Sequence, residues 1–333
     1  MTKPLAIRAD ELIPHPQCSS RSSSTLLTGL PHTRPHPMDY NKREVAERYK
    51  SAEPITVPYA AHLVAQSGLD RADGTTDLVV LDNGCGAGVA THTLFARIPP
   101  PARSRLRVVC GDISQPMIEA VEARIEVEGW TDVSACVSPS PLLRFRAGSR
   151  RCYARGQKLN LPDETFTHVL TNFAAFHLPA PRAALSEALH VLRPGGVHAF
   201  TVWKTIGWYT LAARAVARIP DAPARFVANS MKIAEDGLQW AEPAFFEARV
   251  REAGYKGVEV VLRGNVWRVG GVEECMGVCG KLAVGAFEDW TEEQREYVSE
   301  RYGKALRAVL VEEFGDGEVV TTWEAYCVTA RKE

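Results

Sequence analysis

Leu81-Asp82-Asn83-Gly84-Cys85-Gly86-Ala87-Gly88 follows directly on Asp77-Leu78-Val79-Val80, a short apolar run. An apolar run of this length, bounded by turn residues, predicts a strand buried on both faces. The three glycines at every second position let the main chain turn sharply and approach a ligand, because glycine reaches backbone angles that a Cβ forbids. A helical pattern from Ala90 to Ile98 comes next. Strand, glycine turn and helix in that order form the mouth of a doubly wound sheet, where ligands bind.

The alternation continues on both sides of this unit. Short helices are expected over Asn41–Ser51 and Pro54–Gln66. Strands are expected at Leu106–Cys110, Val133–Val137, Phe166–Leu170 and Val197–Trp203, with helices at Gln115–Glu128 and Pro181–Leu192. Strands and helices joined by short connections predict a parallel sheet covered on both faces. After Trp203 the pattern turns helical and aromatic, with Trp208, Tyr209, Trp240, Phe245 and Phe246. Strand character returns at Val258–Leu262, helices follow across about 272–312, and Val319–Thr329 closes as a strand. Residues 1–37, with six prolines and a Ser-rich patch but no apolar period, read as a disordered tail. One domain over 38–333 with a helical substrate lid at about 205–254 is expected.

The ligand of the glycine turn is narrowed by spacing. A dinucleotide fingerprint is G-x-G-x-x-G, but the sixth place is Val89 counting from Gly84 and Thr91 counting from Gly86. A nicotinamide-dependent oxidoreductase is therefore the weaker reading. No G-K-S/T follows either, which removes the P-loop. Asp112 ends the second strand, 24 residues beyond Gly88, placed to accept hydrogen bonds from two ribose hydroxyls.

With these residues the chain resembles the class I S-adenosylmethionine-dependent methyltransferases, in particular the small-molecule group called type 11. It is similar to fungal natural-product methyltransferases. The resemblance is carried by Val80–Gly88, Gly111-Asp112-Ile113-Ser114 with Met117, Leu161-Pro162-Asp163-Glu164-Thr165-Phe166, and Leu192-Arg193-Pro194-Gly195-Gly196. It implies a mostly parallel seven-stranded sheet, Rossmann-like, whose last strand runs antiparallel. It implies S-adenosyl-L-methionine as cofactor, with Asp82, Gly84, Cys85 and Gly86 at its methionine end. Asp112 would hold the ribose, Ile113 and Met117 would flank adenine, and Asn172 would join this set from the end of the fourth strand. Tyr49 would close over the methionine end from an N-terminal helix.

Two departures from the family pattern stand out. An acidic residue usually follows the third strand and meets the adenine amino group. Here residues 138–155 intervene, with five arginines and no acid, and Arg155 stands where Asp is expected. The segment is either a basic surface loop or a stretch introduced by a faulty gene model. Adenine would then be met by main-chain groups near Gly156 and Gln157. Thr167 also replaces an Asp common after the Phe of this motif.

Composition sets the acceptor class. With 39 Lys plus Arg against 40 Asp plus Glu, the net charge is −1, which argues against nucleic acid, since phosphate binding needs surplus cations. No run of 18 apolar residues suggests a membrane span, and no secretory signal is visible, so a cytoplasmic protein with a small-molecule partner is expected. The eight cysteines are scattered. Cys275 and Cys279 read as two small core residues, and no metal site is expected. His177, just past the fourth strand, is the base candidate by position and by its near-neutral pKa; His168 and His198, inside strands, read as structural. Trp203, Trp208 and Tyr209 are candidates for an apolar acceptor pocket. The expected activity is methyl transfer to an O or N atom of a secondary metabolite. A methyltransferase-like binding or regulatory protein without turnover is the second reading.

Overall fold

Val, Leu and Ile runs form strands where helices cover both of their faces, and this chain does so around one central strand. The computed structural model describes residues 43–137, 161–174, 180–222, 237–280 and 290–333. Strand β1 (Leu78–Asn83) is buried along its whole length. It pairs in parallel with β2 (Leu106–Asp112) on one side and β4 (Phe166–Thr171) on the other. Beyond β2 lies β3 (Val133–Val137), and beyond β4 lies β5 (Leu192–Thr205), both parallel. Then come β7 (Val319–Arg331), antiparallel to β5, and β6 (Lys256–Val269), antiparallel to β7. The order is β3-β2-β1-β4-β5-β7-β6. This is the doubly wound, mostly parallel seven-stranded sheet expected, with its antiparallel last strand. The order reverses between β1 and β4, so the crevice beyond the carboxyl end of β1 is the natural ligand site. The glycine turn lies there.

The helices follow their apolar faces. Helix α1 (Arg43–Ser51) leads into α2 (Glu53–Gln66), which buries Ile55, Tyr59 and Leu63 at successive turns. Helix α3 (Val89–Arg97) leaves the glycine turn, and a four-residue helix α4 (Pro100–Arg103) precedes β2. Helix α5 (Gln115–Glu128) is capped by the Ser114 hydroxyl, which accepts from the Met117 amide, and α6 (Pro181–Val191) leads into β5. Helix α7 (Tyr209–Ala217) packs against α10 (Glu292–Phe314), which also contacts α9 (Val272–Cys279). Helix α8 (Pro243–Glu252) lies inside the segment expected as lid. It packs instead on α6 and β6, burying Phe246 and Val250, and covers the sheet. Residues 223–236 of that segment, the tail and the basic segment 138–155 lie outside the described residues.

Strand β6 runs farther than the sequence suggested. Arg263-Gly264-Asn265 interrupts its apolar run, yet pairing with β7 continues to Val269↔Val319. An edge strand has one paired neighbour, so polar residues fit on it. β5 stops earlier, at Thr205 opposite Glu324. The β6–β7 ribbon therefore projects past the sheet toward α7, α9 and α10. No helix among the described residues is long and apolar enough to cross a membrane.

Candidate active site

The glycine turn is built against β2. The Gly84 and Cys85 amides both donate to the Gly111 carbonyl, at 2.8 and 3.0 Å. Gly84 has φ +70, and a Cβ there would stand 2.4 Å from the Ala174 Cβ. Gly86 has φ +53, and a Cβ there would meet nothing within 4 Å. The first glycine is required by packing; the second leaves an open space among the described residues. Cys85 is buried, and its hydrogen bond to Cys110 together with burial keeps its thiol protonated.

Asp112 faces this turn from the end of β2. Its Oδ2 accepts from the Gly86 amide and its Oδ1 from the Ser114 amide, each at 2.9 Å. Burial raises its pKa, and the hydrogen bonds from Ser114, Gly86 and Ile113 oppose that rise. A carboxylate offers roughly four lone-pair sites, so part of that capacity remains for a ligand's hydroxyls. Asp82, 1 % exposed, accepts at Oδ2 from the Thr91 amide (3.1 Å) and hydroxyl (2.7 Å). Burial pushes its pKa up to about 6 against those two bonds. Its Oδ1 is shielded from solvent and has no partner among the described residues. A buried carboxylate oxygen left unpaired is costly, and a ligand's cationic or N–H group would satisfy it. The open cradle at Gly86, the spare acceptors on Asp112 and the orphan Asp82 Oδ1 together fit S-adenosylmethionine, which carries ribose hydroxyls and an ammonium group.

The N-terminal helix reaches this site. Ala46 of α1 packs with Ala87 of the turn and with Met117. Met117 is 2 % exposed, Ile113 is half-buried, and Tyr49 on α1 is 37 % exposed.

Beyond β4 the chain is strained and aromatic. Phe173 has φ +59, a conformation costly for a residue with a Cβ. The Thr201 hydroxyl accepts from the Phe173 amide at 2.7 Å and donates to Asn172 Oδ1 at 3.1 Å. The Phe173 ring stacks on Trp203, centroids 3.7 Å apart and 11° from parallel. Tyr59 of α2 stands edge-on to both rings at 5.3 Å. Its hydroxyl is buried without a partner among the described residues, and burial raises the phenol's pKa. Trp203 is 8 % exposed and packs on Trp323, which Trp208 meets edge-on at 4.7 Å. Trp208 and Tyr209 are half-buried where β5 leads into α7.

His198 and His168 are structural. His198 Nδ1 lies 3.0 Å from the Tyr255 hydroxyl, which itself donates to the Leu185 carbonyl, and Nε2 lies 3.1 Å from Thr171 Oγ1. Because Tyr255 already donates elsewhere, Nδ1 carries the proton and Nε2 accepts from Thr171. Burial lowers the His198 pKa to about 3 and that of His168 to about 4. Thr167, in place of the familiar Asp, binds the Val79 amide and carbonyl of β1 at 3.0 Å through its hydroxyl. Cys275 and Cys279 are buried core residues on one face of α9, their sulfurs 3.9 Å apart. No cluster of three or more metal-ligating side chains occurs among the described residues. His177, Gly156 and Gln157 lie outside them.

The sequence reading missed Tyr59 and Phe173. Ile55, Tyr59 and Leu63 at four-residue spacing marked a buried helix face, but not that Tyr59 meets the end of β4. Phe173 carried no signal, since a left-handed phenylalanine is not written in spacing.

Residues 81–200 match a family model described as a methyltransferase domain. The chain is 27 % identical over 299 residues to methyltransferase tpcH of Aspergillus fumigatus, covering 88 % of this chain and 98 % of that one. It is 29 % identical to methyltransferase ktnA of Aspergillus niger, covering 88 % and 96 %. It is 28 % identical to the acetylaranotin bis-thiomethyltransferase of Aspergillus terreus, covering 87 % and 95 %.

Proposed function

This chain is a class I S-adenosylmethionine-dependent methyltransferase of the fungal secondary-metabolite type, and from that premise we propose that it methylates an O or N atom of a small, largely apolar metabolite. The observation that carries the acceptor class is the half-buried Phe173 just past β4, its ring stacked on buried Trp203 with buried Tyr59 against both. Flat apolar surfaces beside a cofactor cleft suit a flat apolar acceptor. The half-buried Trp208 and Tyr209 extend that surface toward the cap formed by α7, α9 and α10.

S-adenosylmethionine supplies a methyl group on a positively charged sulfur, which is displaced in line and leaves as a neutral thioether. The chain's own part is alignment. Asp112, fixed by two main-chain donors, orients the ribose. Gly84, Cys85 and Gly86 keep the main chain close to the methionine end, and Asp82 Oδ1 takes its ammonium. Ile113 and Met117 contribute apolar surface beside adenine, and Asn172, held by Thr201, a polar edge. Tyr49 of α1 covers the methionine end. Effective molarities of about 10⁵–10⁸ M for well-aligned groups show how much such positioning supplies. For a phenol, acid or ammonium acceptor a base removes the proton, and His177, three residues past Ala174, is the candidate.

A second reading, sulfur as acceptor atom, is favoured by the similarity to a named bis-thiomethyltransferase. A thiolate forms readily near neutral pH, and transfer to it needs little help from a base. The test is a panel of phenol, amine and thiol acceptors with S-adenosylmethionine, read by mass spectrometry, beside calorimetric titration with S-adenosylhomocysteine and NADH. Methylated phenol or amine products support the proposal. Thiol products alone favour the second reading, and binding of NADH alone overturns both.

A further inference from the structure

One guanidinium links the glycine turn to three of the helices around it. Arg124 of α5 donates from one terminal nitrogen to the Ala87 carbonyl at 3.0 Å and from the other to Glu53 Oε2 at 2.8 Å. Its Nε lies 3.3 Å from Glu128, whose carboxylate is 2.8 Å from His92 Nδ1 on α3. Ala87 belongs to the turn, Glu53 is the first residue of α2, and His92 lies in the first turn of the helix that leaves the glycines. The pair is largely enclosed, with side-chain exposures of 21 % for Arg124 and 16 % for Glu53. An ion pair so shielded from water is screened little by salt and keeps its geometry better than a surface pair.

Neighbouring contacts give the clamp a direction. Glu53 follows Ala52, the joint between α1 and α2, and α1 lays Ala46 on Ala87 and Met117. A direct polar link between α1 and α5, Arg43 to Glu119, is exposed and therefore weak. α5 also lies close under the turn, since a Cβ at Gly88 would meet Val121 at 3.4 Å and the Arg124 Cδ at 3.9 Å. The pose of the turn and the pose of the helix that covers it thus depend on the same side chain. Arginine suits the task because its planar fork binds a carboxylate and a carbonyl at once, which lysine's single ammonium does not.

We propose that Arg124 and Glu53 are positioning residues that hold the glycine turn and the covering helix α1 as one unit, so that the cofactor is retained while acceptor and methyl are aligned. The proposal rests on the glycine turn being the cofactor's site. Neither residue enters the bond-making step. Loss of the clamp therefore weakens cofactor binding and speeds its release, and leaves turnover at saturating cofactor nearly unchanged.

The experiment compares the wild-type chain with Arg124→Lys, Arg124→Met, Glu53→Gln and the double variant Glu53→Gln/Arg124→Met. Arg105→Gln removes a charge from an exposed pair with Asp77 at the opposite end of β2 and serves as control. Calorimetry gives the Kd for S-adenosylhomocysteine, and stopped-flow displacement gives its release rate, both well below each variant's melting temperature. The expected result is a roughly tenfold weaker Kd for Glu53→Gln and Arg124→Met, about 1.4 kcal/mol, carried mainly by faster release. Arg124→Lys falls between, the double variant is no worse than Arg124→Met alone, and kcat stays within about twofold. Should Arg124→Met not fold, Glu53→Gln, which keeps size and shape, decides alone. Unchanged Kd and release in Glu53→Gln, or equal losses in Arg105→Gln, overturn the clamp. If the wild-type chain binds neither S-adenosylmethionine nor S-adenosylhomocysteine, the reading of the site itself fails, and the clamp with it.

Discussion

Asp82→Asn separates what the buried carboxylate costs the fold from what it contributes to the cofactor. Its pKa rises from 3.8 to about 6 on folding, with burial the main cause. Between those values the unfolded chain has released a proton that the folded chain still holds. The contribution of Asp82 to stability is therefore fully present below about pH 3.8 and falls as pH rises to about 6. At roughly 1.36 kcal/mol per pH unit the cost above pH 6 is about 3 kcal/mol. The variant escapes this cost but gains an amide group with no partner where Oδ1 now lies, worth about 1–3 kcal/mol of loss. The Asn oxygen still accepts from Thr91, as Oδ2 does now. A net gain of up to about 2 kcal/mol at pH 8, or up to about 3 °C in melting temperature for a chain of this size, is expected. At pH 4.5 the gain disappears or changes sign. Calorimetric scans of both proteins without cofactor, from pH 4.5 to 8, measure the difference. In parallel, S-adenosylhomocysteine affinity falls in the variant and loses part of its rise between pH 5 and 7. Asp112, also raised by burial, accounts for what pH dependence remains. A melting difference independent of pH, or a variant that binds the cofactor as the wild type does, would refute the assignment.

Other perturbations test other parts of the site. Gly86→Ala adds a Cβ into open space at φ +53, so stability falls by only about 1–2 kcal/mol while cofactor binding is lost. Gly84→Ala, driven against Ala174, lowers the melting temperature markedly more; calorimetry with and without S-adenosylhomocysteine separates the two. Trp203→Ala empties the stack beneath Phe173 and costs about 3–5 kcal/mol in urea unfolding, whereas Trp203→Phe recovers most of that loss and shows its remaining deficit as a raised acceptor KM. His198 has its pKa lowered from 6.5 to about 3 by burial, so its contribution is full above pH 6.5 and is lost as pH falls toward 3. His198→Asn is less stable at pH 7.5 but loses less between pH 7 and 5, which urea titrations at the two pH values would show.

The parallel strands and the helices between them were legible because each is a run with its own period and its own punctuation. Val79, Val80 and Leu81 cannot be solvated on either face, and Gly84 and Gly86 have no role in a straight chain. Asp112 was found by its register with the turn. Each of these is local information: which residue types stand next to which, and how far apart. The antiparallel end of the sheet was readable only through resemblance. Strand β6 was cut short, since an edge strand with one neighbour need not be continuously apolar.

By itself the sequence determined the class of sheet, the glycine turn at its mouth, and Asp82 and Asp112 beside it. Only the tertiary structure decided what surrounds them. Tyr59 and Phe173 are 114 residues apart in the chain, and they meet because α2 packs across β5, β6 and β7, beside the residues that follow β4. Nothing in the spacing singles out Arg124, whose guanidinium meets both Glu53 and Ala87 only in the fold. Helix α8 looked like lid and became sheet cover, because β6 and α6 supply the apolar face that Phe246 and Val250 need. The physical reason is common to all three. Periodicity records which face of an element is apolar, whereas the partner of that face is chosen by how distant elements pack, and no spacing along the chain encodes it.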